Sequence, residues 1–339
     1  MKISVIGTGY VGLVSGVCLA EVGHDVVCID SDAEKVESIN HGVSPIHEAG
    51  LDDLLKKHIG EKLNVSTELN EAVVNSEISI IAVGTPFDGK LIDLQYIRQV
   101  SQQIAKVLKY KKDYHVVVVK STVVPGTTDD VVMPLLEEYS GKIAGCDFGV
   151  GMNPEFLREG VAIEDFMNPD RIVLGAIDSR THVKMNEMYS VFDDVDILET
   201  NNKTAEMIKY TSNSLLATMI SFSNEIGNLC AKLTNVDALD VMKGVHLDKR
   251  ISPKLPSGER LPAPITTSLQ AGCGFGGSCF PKDVNALIAH GNKLSQSMQL
   301  LKSVMDINRE QPQEMIKRIF KHYPKMTGIK IAVLGLAFK

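Results

Sequence analysis

The sequence predicts an α/β protein. It opens with a doubly wound, mostly parallel sheet, continues through a long helix into an all-α central domain, and ends on the first strand of a second such sheet. Three observations predict this. Residues 1–30 read as strand, glycine-rich turn, helix, strand and acid. Short β-rich apolar runs then alternate with helical segments as far as Gly175, the pattern of a parallel sheet covered on both faces. From Pro169 to Pro253 there is no proline, and Thr200–Leu233 reads as one helix with a single glycine, Gly227.

Lys2–Ile6 is the first strand, Val11–Val22 has helical spacing, and Val26–Ile29 is a second strand ending at Asp30. Gly7-Thr8-Gly9-Tyr10-Val11-Gly12 lies between the first strand and the helix. This is the Rossmann-type arrangement for a dinucleotide: glycines permit a tight turn and close approach of backbone to pyrophosphate, which sits on the helix dipole. Asp30 can accept from the ribose hydroxyls and repels a 2′-phosphate, so NAD is expected rather than NADP. Further strands are predicted at Ile78–Val83, His115–Lys120, Phe148–Gly151 and Arg171–Gly175. Gly84-Thr85-Pro86 and Ser121-Thr122 follow two of them, at the strand ends where such sheets bind ligands.

The long helix is expected to bridge two domains and to offer a face for dimerisation. Lys209 and Asn213 share one of its faces at i, i+4 spacing. A proline-rich loop, 253–267, leads to Gly274-Phe275-Gly276-Gly277-Ser278-Cys279-Phe280-Pro281-Lys282-Asp283. Glycines there let backbone N–H groups crowd a ligand. Pro281 and Asp283 mark a helix start. A thiol just ahead of that start, beside Lys282, has its thiolate favoured, which makes Cys279 a candidate nucleophile; the plainer alternative is a buried structural cysteine. Helices follow at Asp283–His290 and Gln296–Lys321. Lys330-Ile331-Ala332-Val333-Leu334-Gly335 then echoes Lys2-Ile3-Ser4-Val5-Ile6-Gly7, so the chain is read as truncated just inside a second Rossmann-like domain.

Bulk properties narrow the function classes. A net charge of −7 from interspersed charges leaves no nucleic-acid footprint. The 6 cysteines show no paired C-x-x-C spacing, which argues against a metal site or disulfide framework and for a reducing compartment. Ile3–Ala20 is apolar, but its glycines suit a nucleotide turn and no A-x-A site follows. A cytoplasmic protein with no membrane or nucleic-acid partner is expected.

These motifs, with Ala82-Val83-Gly84-Thr85-Pro86, Lys120-Ser121-Thr122, Asn153-Pro154-Glu155-Phe156-Leu157-Arg158-Glu159-Gly160 and Pro169-Asp170-Arg171-Ile172-Val173, resemble the UDP-glucose/GDP-mannose dehydrogenase family over essentially the whole chain. The form of the cysteine loop favours the UDP-glucose branch over those acting on GDP-mannose or UDP-N-acetylmannosamine. The resemblance implies two successive NAD-linked oxidations at the sugar C6, from UDP-glucose to UDP-glucuronate, with a thiohemiacetal and then a thioester on Cys279. It implies that Lys209 and Asn213 stabilise oxyanions, and that Asp283 is a general base or positions water, with Thr122 and Glu159 assisting. Cofactor contacts carried over are Val11, Asp30, Lys35, Thr85, Thr122 and Glu159, around the Gly7, Gly9, Tyr10 and Gly12 turn, with Lys282 near the cofactor.

Substrate contacts carried over are Glu155, Phe156, Leu157, Arg158, Glu159, Lys209, Asn213, Ser268, Leu269, Gln270, Ala271, Gly272 and Gly276. Arg250, in Asp-x-Arg-Ile, is implied to reach a partner's sugar site, so a homodimer is expected, and Lys339 is implied to bind substrate at the head of a third domain. The expected division is an NAD-binding domain at 1–199, a helical dimerisation and catalytic domain at 200–324, and the opening of a UDP-binding domain at 325–339. The 253–267 loop is longer than the family's usual connection. A two-electron hydroxyacid dehydrogenase would also carry lysine and asparagine on a helix, but needs no cysteine. A non-catalytic nucleotide-binding protein would bind NAD without turnover.

Overall fold

Eight strands form one sheet: β1 (Lys2–Ile6), β2 (Asp25–Ile29), β3 (Leu63–Ser66), β4 (Ile78–Ile81), β5 (His115–Val119), β6 (Phe148–Met152), β7 (Ile172–Ala176) and β8 (Ile197–Thr200). Their order is β3-β2-β1-β4-β5-β6-β7-β8, and neighbours run parallel except β6 against β7. The sheet belongs to a computed structural model that describes residues 1–335. The described residues divide into two compact units, one of residues 1–88 and 92–209, the other of residues 89–91 and 210–335.

Central strands of such a sheet are buried on both faces and therefore read as unbroken apolar runs. In β4 (Ile-Ser-Ile-Ile) and β5 (His-Val-Val-Val-Val) every residue is buried. These strands are legible in sequence to within a residue or two. Strands β3 and β8 are not among those the sequence predicts. In β3 (Leu-Asn-Val-Ser) only Leu63 and Val65 are buried, and β8 has no fully buried residue because it is an edge. Neither has the apolar run that marks a central strand.

One face of the sheet is covered by α1 (Tyr10–Glu21), α2 (Ala33–Asn40), α3 (Leu51–His58), α7 (Ala162–Met167) and α8 (Ser179–Met188). The other carries α4 (Leu69–Asn75), α5 (Gln95–Leu108) and α6 (Met133–Ser140). Leu13, Ile39, Leu51, Leu55 and Ile104 are essentially fully buried, each contributing about 1.5–3 kcal/mol relative to exposure.

The second unit is helical, with the later part of α9 (Asn202–Cys230), α10 (Ala238–His246), a 3-10 turn at Pro264–Ser268, α11 (Phe280–Lys293) and α12 (Gln299–His322). The boundary between units falls inside α9, after Lys209, whereas the sequence reading set it ahead of the helix at 199/200. The first turns of α9 are tied to the first unit. Asn202 donates to Asp129 at 2.8 Å and Lys203 to Asp130 at 3.0 Å. Glu206 accepts from Gly126 N at 2.6 Å, Thr128 N at 2.8 Å and the Thr128 hydroxyl at 2.7 Å.

The proline-rich segment 253–267 folds back on itself, with a bridge between Lys254 and Arg260 and Arg260 donating to the carbonyls of Leu247 and Ser252. The strand expected at 330–335 is not formed, and Ile331, Val333 and Leu334 are exposed. A strand needs a neighbour to pair its peptide groups, and none of the described residues supplies one. Lys339 lies outside the described residues.

Burial pushes the Glu206 carboxyl up to about 7, against the Thr128 and Gly126 donors. Between the ordinary carboxylate range and about 7 the folded chain therefore holds a proton that the unfolded chain has lost. Glu206 contributes stability at low pH that fades as pH rises through that window. Glu206→Gln, which turns an NH2 towards one of the donors, should cost about 1–3 kcal/mol. Urea melts should show the gap to wild type narrowing from about pH 5 to about pH 7.

Candidate active site

The turn after β1 has the shape the glycine motif predicts. Gly7 has φ +101°, and a Cβ there would lie 2.7 Å from the Ala82 carbonyl oxygen. A Cβ at Gly9 would meet nothing within 4 Å, so open space lies over the start of α1. Gly9 is the N-cap of that helix and makes no side-chain capping bond. Free N–H groups and a helix dipole facing open space form an anion site, and these residues fit a dinucleotide pyrophosphate.

At the end of β2, Asp30 Oδ2 accepts from Thr8 N (3.0 Å), the Thr8 hydroxyl (2.6 Å) and Lys35 Nζ (2.8 Å). Burial opposes its charge, but Lys35, Thr8 and the Asp32 amide outweigh burial and hold the carboxyl at about 2. A carboxylate ionised at every working pH is what a ribose diol needs as acceptor.

The ends of β4 and β5 are joined by the Thr85 hydroxyl, which donates to the Thr122 carbonyl at 2.7 Å. The structure thus brings together both loops that the sequence placed at the ligand edge of the sheet. Beside them in the first unit, Lys209 Nζ pairs with Glu155 Oε1 at 2.8 Å, and the two side chains are only 6% and 7% exposed. Burial works against the Glu155 charge, yet Lys209, the Leu157 amide and Lys120 keep its carboxyl below the usual range. Phe156 lies under this cluster, with Arg171 over its ring at 4.0 Å and Lys209 at 5.5 Å. Arg158 is exposed and bound to Asp165.

Two further residues belong to this region, neither of them expected as a site residue, although Lys120 stands in the Lys120-Ser121-Thr122 motif. Lys120 is buried and donates to Asn153 Oδ1 at 2.8 Å; burial drives its ammonium down to about 8, with Glu155 opposing and Lys209 adding to the shift. Glu48 is buried and accepts from the Tyr10 hydroxyl, from Gly160 N at 2.8 Å and from Ala162 N at 2.9 Å. It ties the glycine turn to the end of the Glu155–Glu159 segment. A carboxylate three residues after Pro45, outside both motifs, gave no signal of that link.

In the second unit, Cys279 is exposed, so the buried structural alternative does not hold. It is the N-cap of α11, with Pro281 in the first turn. The helix begins at Phe280, one residue before the predicted Pro281 start. Asp283 N donates to the Cys279 carbonyl at 2.8 Å, so the acid sits one turn into the same helix. Asp283 is 1% exposed and accepts from Asn213 Nδ2 at 2.7 Å and Lys282 Nζ at 2.6 Å. The hydrogen-bond partner of the thiol is the Ser278 hydroxyl, at 3.5 Å, while Lys282 is taken by Asp283. Leu269 is buried and Ser268 and Gln270 are exposed. Arg250 is folded onto Asp248 at 2.6 Å on the surface.

The Lys209–Glu155 pair sets a stability test. Glu155→Ala leaves the buried Lys209 ammonium uncompensated and should cost about 3–5 kcal/mol, whereas Glu155→Leu combined with Lys209→Met should recover part of that loss, the remainder reflecting the Lys120 ammonium that Glu155 also supports. Urea denaturation of the single and double variants checks it.

Residues 1–193 match the NAD binding domain of the UDP-glucose/GDP-mannose dehydrogenase family, and residues 203–310 match its central domain. A UDP-glucose 6-dehydrogenase of Haloferax volcanii is 40% identical over 100% of this chain and 76% of its own length. A GDP-mannose 6-dehydrogenase of Azotobacter vinelandii is 42% identical over 100% of this chain and 74% of its own. Among solved structures, a UDP-glucose dehydrogenase from Pyrobaculum islandicum is similar with a TM-score of 0.86 at 38% identity, covering 95% of this chain and 71% of that one. Among the described residues no helix is long and apolar enough to cross a membrane. The chain belongs to the UDP-glucose/GDP-mannose dehydrogenase family and is an NAD-dependent nucleotide-sugar dehydrogenase.

Proposed function

We propose that the chain oxidises UDP-glucose at C6 to UDP-glucuronate in two steps, through a covalent intermediate on Cys279. The observation that carries this reading is an exposed thiol at the N-terminus of a helix whose first turn holds a buried carboxylate bonded to Asn213. NAD, when bound, supplies the hydride acceptor, and two are reduced per sugar. The Gly7–Gly12 turn and Asp30 would hold its pyrophosphate and ribose, with Lys35, Thr85, Thr122, Glu159 and Lys282 as further contacts.

Loss of a hydride and the hydroxyl proton turns the C6 alcohol into an aldehyde. Lys209 and Asn213 stabilise the negative charge that develops on the C6 oxygen. The Cys279 sulfur adds to the aldehyde carbon, and the oxygen takes the thiol proton, giving a thiohemiacetal. Loss of a second hydride and the hydroxyl proton leaves a thioester. Water adds to this carbonyl with Asp283 as base, the C–S bond breaks, and the thiol returns with release of the carboxylate. In the structure Lys209 rests on Glu155 and Asn213 on Asp283, so each is held by a carboxylate rather than left to move freely.

UDP-glucose is preferred on the form of the cysteine loop and on the likeness to the Pyrobaculum islandicum enzyme. A GDP-mannose substrate is the second reading, because relatives bearing that name are equally similar in sequence. A homodimer is supported by Leu215, Phe222 and Leu229, spaced seven apart on α9 and 58%, 53% and 54% exposed. A heptad-spaced apolar stripe of this kind suits helix–helix association.

Turnover with UDP-glucose, GDP-mannose and UDP-N-acetylmannosamine should favour UDP-glucose and yield two NADH per sugar; one NADH per sugar would sink the thioester route. Cys279→Ser should stop the second oxidation. Asp30→Ala should weaken NAD binding about 10–100-fold, the loss of a charged hydrogen bond of ~1.5–3 kcal/mol, and narrow the preference over NADP. Fluorescence titration with both cofactors measures this, and unchanged affinity refutes the role given to Asp30.

A further inference from the structure

We infer that Asn308 and Gln311 of α12, with Asn224 of α9, are positioning residues for Cys279: their side-chain amides grip the backbone of the loop that presents the thiol. The inference rests on the reading of Cys279 as nucleophile. Asn308 brackets one residue completely, accepting from Phe275 N at 2.7 Å and donating to the Phe275 carbonyl at 2.9 Å. Gly272 is bracketed in the same way by two side chains. Its N–H donates to Asn224 Oδ1 at 2.8 Å, and its carbonyl accepts from Gln311 Nε2 at 2.6 Å. Gln311 is held in turn by Asn228 Nδ2, which donates to its Oε1 at 2.8 Å.

Gln311 and Asn224 are 0% and 1% exposed, so these bonds are not exchanged with water. A buried amide left without its partner costs about 1–3 kcal/mol by the usual accounting; the loop is therefore pinned rather than merely contacted. A side-chain amide presents a donor and an acceptor in one plane, as a peptide does, and can bracket a loop residue much as a neighbouring strand would. Being neutral, it adds no charge beside a loop that carries a nucleophile.

Between the bracketed Phe275 and the N-cap Cys279 only Gly276, Gly277 and Ser278 intervene. The gap is spanned by an edge-on contact between the Phe275 and Phe280 rings, with centroids 6.0 Å apart. Gly274 has φ +96°, and a Cβ there would lie 2.5 Å from Asn308 Oδ1, so only glycine lets that amide reach its partner. Pro312 lies inside α12 and has no N–H for the Asn308 carbonyl. The regular helical ladder is thus broken at the turn that carries both gripping side chains.

The test compares wild type, Cys279→Ser, Asn308→Ala and the near-isosteric Asn308→Asp. Readouts are NADH released per UDP-glucose, aldehyde trapped with semicarbazide, KM for NAD, and the rate of Cys279 alkylation by iodoacetamide near pH 7. The first oxidation does not use the thiol and the second does. Both Asn308 variants should therefore fall from two NADH per sugar towards one, with aldehyde appearing and KM for NAD unchanged. Alkylation of Cys279 should slow about tenfold, equivalent to ~1.4 kcal/mol. A purely structural role would lower active enzyme without altering stoichiometry.

Two NADH per sugar and wild-type alkylation in both Asn308 variants, with Cys279→Ser defective, would overturn the inference and leave the nucleophile in place. One NADH from wild type, or two from Cys279→Ser, would refute the nucleophile itself. The alkylation rates alone would then decide whether Asn308 positions the thiol.

Discussion

An ammonium withdrawn from water is strongly destabilising unless an acceptor or a carboxylate compensates it, and the Lys209–Glu155 pair is where this chain does so by direct ion pairing. Both groups are almost wholly buried, and each alone would be strongly destabilising. The pair fixes the Asn153–Glu159 segment against α9, and the segment in turn places Phe156, the glycine-turn partner Gly160 and the carboxylate-bound Arg158. Lys120 adds a second buried ammonium that Glu155 helps to keep charged. Two buried ammonium groups beside one buried carboxylate leave this cluster with a surplus of positive charge, the setting that the oxyanion role proposed for Lys209 requires.

The same logic of paired or bracketed polar groups recurs around the thiol. Asp283 is buried only because Asn213 and Lys282 satisfy its oxygens. Gly274, Gly276 and Gly277 remove side-chain bulk from the loop ahead of Cys279, but glycine also makes a chain floppy. Side-chain amides from α9 and α12 restore the order that glycines remove.

Buried polar side chains serve as joints elsewhere too. Glu48 connects the glycine turn to the start of α7 through Tyr10, Gly160 and Ala162, and Glu206 docks the head of α9 on the turn at 126–128. Each is a carboxyl group that accepts from backbone N–H groups of a turn or helix start, where the backbone has donors without helical partners.

The βαβ start, the central strands, the long helix and the glycine loop that carries Cys279 are all legible in the sequence. Those features are written in local patterns: unbroken apolar runs for doubly buried strands, glycines where backbone must come close, proline and an acid at a helix start. Tertiary structure alone decided that Lys209 rests on Glu155 and Asn213 on Asp283, that Lys282 serves Asp283 rather than the thiol, and that Asn308, Gln311 and Glu48 hold loops far away in the chain. It also decided the edge strands β3 and β8 and left residues 330–335 unpaired, against the strand their composition suggested. Hydrogen bonds between residues tens of positions apart have no periodicity to leave in a sequence, and a strand exists only when another backbone is there to pair with it.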